Sequence, residues 1–164
     1  MAQLYKVPVL FVVENNGYAM GTSIERSHAN PDLTDRIGSY AMKRERIDGQ
    51  DVVGLHERVS EIIAEMRRTQ EPVFLECMTY RYHGHGAADE AKQGVYRPKD
   101  EIEKARLRDP ITLLERVLVE QEALPDAERQ RIHNEAREAA RAALKFADDS
   151  PNPAPDELLK DVYA

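Results

Sequence analysis

The sequence has little cysteine, no tryptophan and no long apolar run, and these scarcities exclude several kinds of protein. Its 164 residues include a single cysteine, Cys77, so an internal disulfide is excluded and a reducing compartment is expected. No apolar run approaches the roughly 18 residues that a membrane-spanning helix needs, so no membrane segment is expected. The first residues lack a basic region leading into an apolar stretch, so no secretory signal is expected.

Positive charge is also scarce. The chain carries 23 basic and 30 acidic side chains, a formal net charge of −7. A nucleic-acid surface needs clustered lysine and arginine, so nucleic acid is not an expected partner. Hydrophobic residues make up 41% of the chain, which is enough to build a core and excludes a disordered acidic tail. Length and composition therefore indicate one ordinary domain.

Two apolar runs indicate a parallel sheet. Val7–Val13 reads VPVLFVV, and Val73–Met78 reads VFLECM. Continuous runs of this kind suit strands covered by helices on both faces; a core helix is the alternative for the first run, but Pro8 and the β-branched residues favour a strand. A helix is predicted between the runs, from apolar residues at helical spacing: Leu55, Val59, Ile62, Ile63 and Met66. Strand, helix and strand in this order predict an α/β fold.

The pattern changes along the chain. Residues 21–46 are polar and predict loops, and residues 46–53 predict a short extended segment. Met1–Lys6 resembles the end of a helix whose start is absent, so the chain is expected to open in the middle of an α/β unit. We expect residues 1–98 to be the second half of an α/β domain. Residues 99–164 are expected to form a helical C-terminal extension that ends in an acidic, proline-containing arm.

Two helices are predicted within this extension. They are expected over Pro110–Val119 and over roughly Asp126–Phe146, with Pro125 near the start of the second.

Polar residues follow the first predicted strand, in the segment Glu14–Ser23, which reads ENNGYAMGTS. Ligands of open α/β sheets collect beyond the carboxyl ends of the strands. An asparagine side-chain oxygen and a backbone carbonyl are hard ligands that suit Mg²⁺ or Ca²⁺. They would supply two positions of an octahedron, and a carboxylate ligand would still be needed. The alternative is an ordinary Asn-Gly turn at Asn16 that binds nothing.

Two histidines follow the second predicted strand, in His83-Gly84-His85. Such a pair can bind a metal, donate to a phosphate, or act as acid and base. A zinc site is not favoured because no further ligand stands at a zinc spacing. A solvated loop is the alternative. Cys77 lies in an apolar run without a basic neighbour, which predicts a buried, unreactive thiol.

Five segments together closely resemble one family. They are, in order, KVPVLFVVENNGYAMGTS, RIDGQDV, EPVFLECMTYRYHGHGAAD, VYR and RDPI. The resemblance is to the alpha subunit of thiamine-diphosphate-dependent 2-oxo acid dehydrogenases, of the pyruvate dehydrogenase type, and it runs from Met1 to the C-terminus. ENN-x-Y and TYR-x-x-GH are specific as a pair, although either one alone would be a weak signal.

The resemblance implies roles for three residues. Asn16 matches the asparagine whose side chain coordinates Mg²⁺, and Tyr18 matches the residue whose backbone carbonyl does so, which makes both cofactor-binding. His85 matches the histidine of the family's mobile active-site loop, which contacts the thiamine diphosphate and is catalytic. The family's Gly-Asp-Gly half of the thiamine motif, which holds the missing carboxylate, is not in this chain and is expected upstream of Met1.

The same loop shows a departure from the family. Asp89 and Arg97 match positions that help to order it, and the segment between them is about two residues longer than the usual pattern. Gly86 and Ala88 stand where mitochondrial members carry phosphorylated serines. Control by the kinase that phosphorylates those serines is therefore not expected. A bacterial origin and a cytoplasmic location are expected.

The resemblance also implies an activity and partners. The expected activity is oxidative decarboxylation of a 2-oxo acid, with pyruvate favoured and a branched-chain 2-oxo acid or acetoin as alternatives, followed by acyl transfer to a lipoyl group. A beta subunit, in an α₂β₂ heterotetramer, and a lipoyl-bearing acyltransferase are the expected partners. The chain alone is expected to be inactive. A non-catalytic fragment or interaction module that pairs with a beta subunit is the alternative function.

Overall fold

The structure, a computed structural model, describes residues 1–86 and 96–160. The chain divides into two compact units, Met1–Val117 and Leu118–Ala164. The first unit contains a parallel sheet with helices, and the C-terminal part of the chain is helical, so the α/β fold class expected from the sequence is confirmed. The expected domain division at residues 98 and 99 stays a prediction.

The elements follow one another in a simple order. Before the long helix they are α1 (Ala2–Tyr5), β1 (Leu10–Asn15), β2 (Tyr18–Ala19), β3 (Thr22–Ser23), α2 (Ile24–Ser27), α3 (Leu33–Ile37), a 3₁₀ turn (Gly38–Tyr40) and β4 (Lys43–Asp48). After it come β5 (Val73–Met78), α5 (Lys99–Arg106), α6 (Pro110–Glu120), α7 (Asp126–Asp149) and a 3₁₀ turn (Pro155–Leu159). The long helix itself, α4, spans Val52–Thr69.

The main sheet has three parallel strands in the order β1-β5-β4. In β5, Glu76 lies beside Val13 of β1 and Arg46 of β4, and Met78 lies beside Asn15 and Asp48. Because the strands are parallel and in this register, their carboxyl ends meet at one edge. That edge is where the polar segments of the sequence converge.

Helix α4 covers one face of the sheet and forms the core. Asp51 caps it through its side chain, which accepts a hydrogen bond from the Gly54 amide. Ile62 and Met66 pack on alternate residues of β5, namely Val73, Leu75 and Cys77. Burial of each such side chain is worth about 1.5–3 kcal/mol. Cys77 is buried, as predicted, and burial raises the pKa of its thiol.

Two strands differ from the sequence-based expectation. Strand β1 begins at Leu10 and continues through the polar Glu14 and Asn15, because the ladder with β5 holds them extended. Strand β4 occupies Lys43–Asp48, where loop and only a short extended segment were expected. Its KRERID sequence has a single apolar residue, Ile47, and no apolar run; pairing with the central strand β5 holds it extended. Strand β5 has the predicted bounds.

Strand β1 is not covered on both faces by the described residues. Phe11 and Val12 are 42% and 52% exposed, although their sequence is typical of a buried strand. They line an apolar cleft of about 730 Å³ together with Met1, Ala2, Gln3, Leu4, Val13, Ile37, Tyr40, Met42 and Phe74.

The second unit is dominated by α7. Both predicted C-terminal helices are present, and α7 runs three residues beyond the predicted Phe146. Its charged face is laced with local ion pairs such as Arg141–Glu138. Across residues 1–86 and 96–160, no helix combines the length and apolarity that a bilayer crossing requires.

Candidate functional site

Three polar segments meet at the carboxyl edge of the sheet. The first, Glu14–Tyr18, runs from the end of β1 to the start of β2. The second, Asp48–Gln50, begins with the last residue of β4, and the third, Thr79–His85, follows β5. In open α/β proteins this edge is where ligands bind. The candidate site is therefore built on the ends of rigid strands.

The segment after β1 is held by two consecutive asparagine turns. The Asn15 Oδ1 accepts a hydrogen bond from the Gly17 amide at 2.9 Å, and the Asn16 Oδ1 accepts one from the Tyr18 amide at 2.9 Å. Gly17 has φ of 77°, a conformation that a side chain would strain. The Asn-Gly turn expected as the alternative to a metal site is thus present, and it orients the Asn16 amide.

The backbone of Tyr18 points away from its hairpin partner. Tyr18 lies opposite Ser23 in the hairpin. The neighbouring pair, Gly17 and Ile24, is hydrogen-bonded, because the Ile24 amide donates to the Gly17 carbonyl at 2.9 Å. Pairs in an antiparallel ladder alternate between bonded and unbonded, so the Tyr18 carbonyl faces outward on the side where its amide meets Asn16. An amide oxygen has a second lone pair for a cation. Asn16 and Tyr18 therefore offer two hard oxygens that fit Mg²⁺.

A carboxylate joins two tyrosines below this turn. Glu101 of α5 accepts hydrogen bonds from the Tyr80 hydroxyl at 3.0 Å and the Tyr18 hydroxyl at 3.2 Å. Burial, reinforced by the hydrogen bond to Glu101, raises the pKa of Tyr80 to about 12. Burial, reinforced by the Glu101 charge, also raises the pKa of Tyr18. Both hydroxyls stay protonated and act as donors that fix the Tyr18 side chain.

Arg97 is buried in a cage of aromatic rings. The residue is 4% exposed, and its guanidinium carbon lies 5.7, 5.3 and 5.0 Å from the ring centres of Tyr18, Tyr80 and Tyr96. The guanidinium also donates to the carbonyls of Arg81 and, at 3.0 Å, of His83. These contacts support the ordering role that the resemblance implied for Arg97.

His85 is exposed and contacts Arg81. The Arg81 guanidinium lies 3.2 Å from the His85 Nδ1, and because arginine only donates, the Nδ1 accepts and the neutral ring carries its proton on Nε2. Arg81 also donates to the Met20 carbonyl at 2.6 Å and the Tyr96 hydroxyl at 3.1 Å. Arg81 thus ties His85 to the hairpin that contains Tyr18.

Glu76 is a buried carboxylate beside the candidate site that the sequence reasoning missed. It lies on β5 with no exposure, and accepts hydrogen bonds from the Asn15 Nδ2 at 2.6 Å and the Arg46 Nε at 2.8 Å. Its signal in the sequence is a single carboxylate within the apolar VFLECM run. A terminal guanidinium nitrogen of Arg46 also forms an ion pair with the Asp32 carboxylate at 2.9 Å.

The predicted site residues lie in one connected arrangement. Asn16 and Tyr18 share a turn, and His85 reaches the same hairpin through Arg81. Within the described parts of the chain, no group of three or more His, Cys, Asp and Glu side chains could hold a metal ion. No cluster of this kind in the described residues therefore supplies the carboxylate ligand that was expected to join Asn16. Ala88 and Asp89 lie outside the described residues, whereas Gly86 is described and exposed.

A parallel sheet with polar segments at its carboxyl edge defines the chain as an α/β protein with a candidate ligand site at the strand ends. The particular family is shown by a sequence model. The chain belongs to the family of the dehydrogenase E1 component, whose model matches residues 1–156. The resemblance noted in the sequence is therefore confirmed.

Similar proteins come from bacteria and plants. The chain is 34% identical over 163 residues to the pyruvate dehydrogenase E1 component subunit alpha of Rickettsia prowazekii (strain Madrid E), covering 99% of this chain and 49% of that protein. It is 37% identical over 163 residues to the protein of the same name from Rhizobium meliloti (strain 1021), covering 99% and 46%. It is 37% identical over 166 residues to the chloroplastic subunit alpha-3 of Arabidopsis thaliana, covering 100% and 38%. The chain thus spans half or less of the length of these relatives.

Proposed function

We propose that this chain forms part of the alpha subunit of a thiamine-diphosphate-dependent 2-oxo acid dehydrogenase that acts on pyruvate. The observation that carries the proposal is the turn at Asn16–Tyr18, which presents two hard oxygens at the carboxyl edge of the sheet. It occurs in a chain of the dehydrogenase E1 component family, similar to proteins named pyruvate dehydrogenase E1 subunit alpha.

Asn16 and Tyr18 would hold Mg²⁺ through the side-chain oxygen and the backbone carbonyl, and the Mg²⁺ would hold the diphosphate of the cofactor. The donor set supports this assignment, because amide and carbonyl oxygens suit a hard cation. When bound, thiamine diphosphate supplies an electron sink for loss of carbon dioxide from the 2-oxo acid.

His85 would act next to the cofactor. Its Nδ1 is engaged by Arg81, which leaves the Nε2–H as a hydrogen-bond donor on an exposed ring. That donor would bind an anionic oxygen of cofactor or substrate and assist acyl transfer to a lipoyl group. The Arg97 cage would hold the backbone before His85 in place.

The partners follow from the same proposal. A beta subunit would complete the site in an α₂β₂ heterotetramer, and a lipoyl-bearing acyltransferase would take the acyl group. The chain alone would be inactive. A bacterial cytoplasm is the proposed location, supported by the bacterial relatives.

One alternative of another class deserves a test: a non-catalytic module that pairs with a beta subunit. The exposed apolar residues Phe11 and Val12 beside a cleft favour an interaction role. Branched-chain 2-oxo acids and acetoin are the alternative substrates within the enzymatic proposal.

Isothermal titration distinguishes these functions. The full-length gene product, alone and assembled with a beta subunit from the same host, is titrated with thiamine diphosphate with and without Mg²⁺. Mg²⁺-dependent binding is expected in the assembly, together with turnover of pyruvate faster than of branched-chain 2-oxo acids or acetoin. Stable assembly without cofactor binding would refute the enzymatic function and support the interaction module.

A further inference from the structure

The buried carboxylate of Glu76 has no place in the function proposed above. Its two partners, Asn15 and Arg46, come from the two strands that flank β5. Glu76 and Asn15 share a sheet face, because Glu76 pairs with Val13 and Asn15 lies two residues further along β1. This is the face opposite α4, where α3 contacts the sheet.

A carboxylate is an expensive way to fill this position. Burying a charge costs free energy unless it is paired and hydrogen-bonded, and an apolar side chain of similar volume often gives equal or greater stability. Both Glu76 oxygens are used, one by each partner. The carboxylate therefore fixes the orientation of the Asn15 side-chain amide.

The Asn15 side-chain amide connects Glu76 to the Asn16–Tyr18 turn. Glu76 accepts from the Asn15 Nδ2, which forces the Asn15 Oδ1 toward the Gly17 amide. Gly17 in turn lies between Asn16 and Tyr18, whose side-chain oxygen and amide are 2.9 Å apart. Two linked hydrogen bonds thus run from Glu76 through Asn15 to Gly17, whose backbone joins the two proposed ligands, and a third closes the turn between Asn16 and Tyr18.

Arg46 anchors the other side of the carboxylate. Its Nε binds Glu76, and its terminal nitrogen lies 2.9 Å from the Asp32 carboxylate. Asp32 is the N-cap of α3, with its oxygen 2.8 Å from the Thr34 amide. Arg46 of β4 and the N-cap of α3 therefore hold the Glu76 carboxylate in place. Glu76 cannot shift together with Asn15 if the Asn16–Tyr18 turn relaxes.

We infer that Glu76 is a positioning residue for the metal and cofactor site, acting through Asn15 on the Asn16–Tyr18 turn. The inference rests on the proposed function. Residues that orient the ligands of a metal influence its affinity strongly: loss of such a residue typically weakens metal binding by about 10–100-fold. Neither Glu76 nor Asn15 needs to touch the metal for this effect.

The test is a set of variants in the full-length product assembled with its beta subunit. Mg²⁺ affinity is measured at saturating thiamine diphosphate by isothermal titration, and melting temperature is recorded for each variant. Glu76→Gln is expected to weaken Mg²⁺ binding about 10–100-fold. The matched control is Glu45→Gln, which breaks the ion pair of Glu45 with Arg58 on the α4 face of the same sheet.

A double variant isolates the route through Asn15. Asn15→Ala is expected to weaken Mg²⁺ binding to a similar degree, and Asn15→Ala with Glu76→Gln is expected to bind no worse than Asn15→Ala alone. Asn15 is only partly buried, so this variant keeps the test open if Glu76→Gln fails to fold.

Three results would overturn the inference: wild-type Mg²⁺ affinity in Asn15→Ala or Glu76→Gln, equal loss in Glu45→Gln, or losses that multiply in the double variant. Lack of Mg²⁺-dependent binding in the wild-type assembly would instead refute the proposed function, so the two failures are distinguishable.

Discussion

Replacement of Arg97 should open the segment that carries His85. Arg97→Ala removes two hydrogen bonds from a charged donor, worth about 1.5–3 kcal/mol each, and three ring contacts worth about 0.5–1 kcal/mol each. These contributions overlap, and release of the arginine side chain returns about 2 kcal/mol of conformational entropy. A net loss of about 3 kcal/mol in local stability is the reasonable expectation.

Trypsin provides the assay because Arg81 is itself a cleavage site. Cleavage after Arg81 requires the segment to open, and its rate follows the population of the open form. A loss of about 3 kcal/mol corresponds to roughly 100-fold faster cleavage. Arg97→Lys keeps the charge but not the planar fork, so an intermediate increase of roughly tenfold is expected.

The exposed Arg26 is an internal control in the same digest. Its cleavage, followed by mass spectrometry, should be unchanged in both variants. Cleavage after Arg81 that rises less than threefold, or in parallel with cleavage after Arg26, would refute the role given to the Arg97 cage.

Two further predictions concern single residues of the site. The Tyr80 pKa of about 12 lies above its ordinary value of 10.0, so the folded state holds this proton more tightly, and stability should fall as pH rises from 10 to 12. Tyr80→Phe should flatten this part of a pH series of urea unfolding, and an unchanged slope would contradict it. His85→Ala should lower acyl transfer in the assembled enzyme while leaving the melting temperature near that of wild type; parallel losses would make His85 structural.

Sequence reasoning succeeded where the signal is local. Strand β5 is a continuous apolar run and helix α4 carries apolar residues at helical spacing, and both were predicted. The loops that hold Asn16, Tyr18 and His85 were expected beyond strand ends, because polar residues follow apolar runs there. Parallel pairing then requires these loops to share an edge.

The contacts that organise the site depend on distant parts of the chain. Glu76 and Asn15 are 61 residues apart, and Tyr18 and Glu101 are 83 residues apart. The charged strand β4 lacks any apolar pattern, and its place depends on pairing with β5. Local propensity contains no information on such contacts, so the Glu76 network and the Arg97 cage could be found only in the folded chain.

The proposed role of Asn16 is to bind the metal that holds the cofactor. The most direct test measures Mg²⁺-dependent retention of thiamine diphosphate by the assembled protein after Asn16→Ala. Asn30→Ala is the matched control, since the Asn30 Oδ1 accepts from the Asp32 amide at 2.9 Å in the same kind of turn. Asn16→Ala should retain the cofactor at least about tenfold more weakly, whereas Asn30→Ala should retain it as the wild type does. Unchanged retention in Asn16→Ala, or equal losses in both variants, would refute metal binding by Asn16.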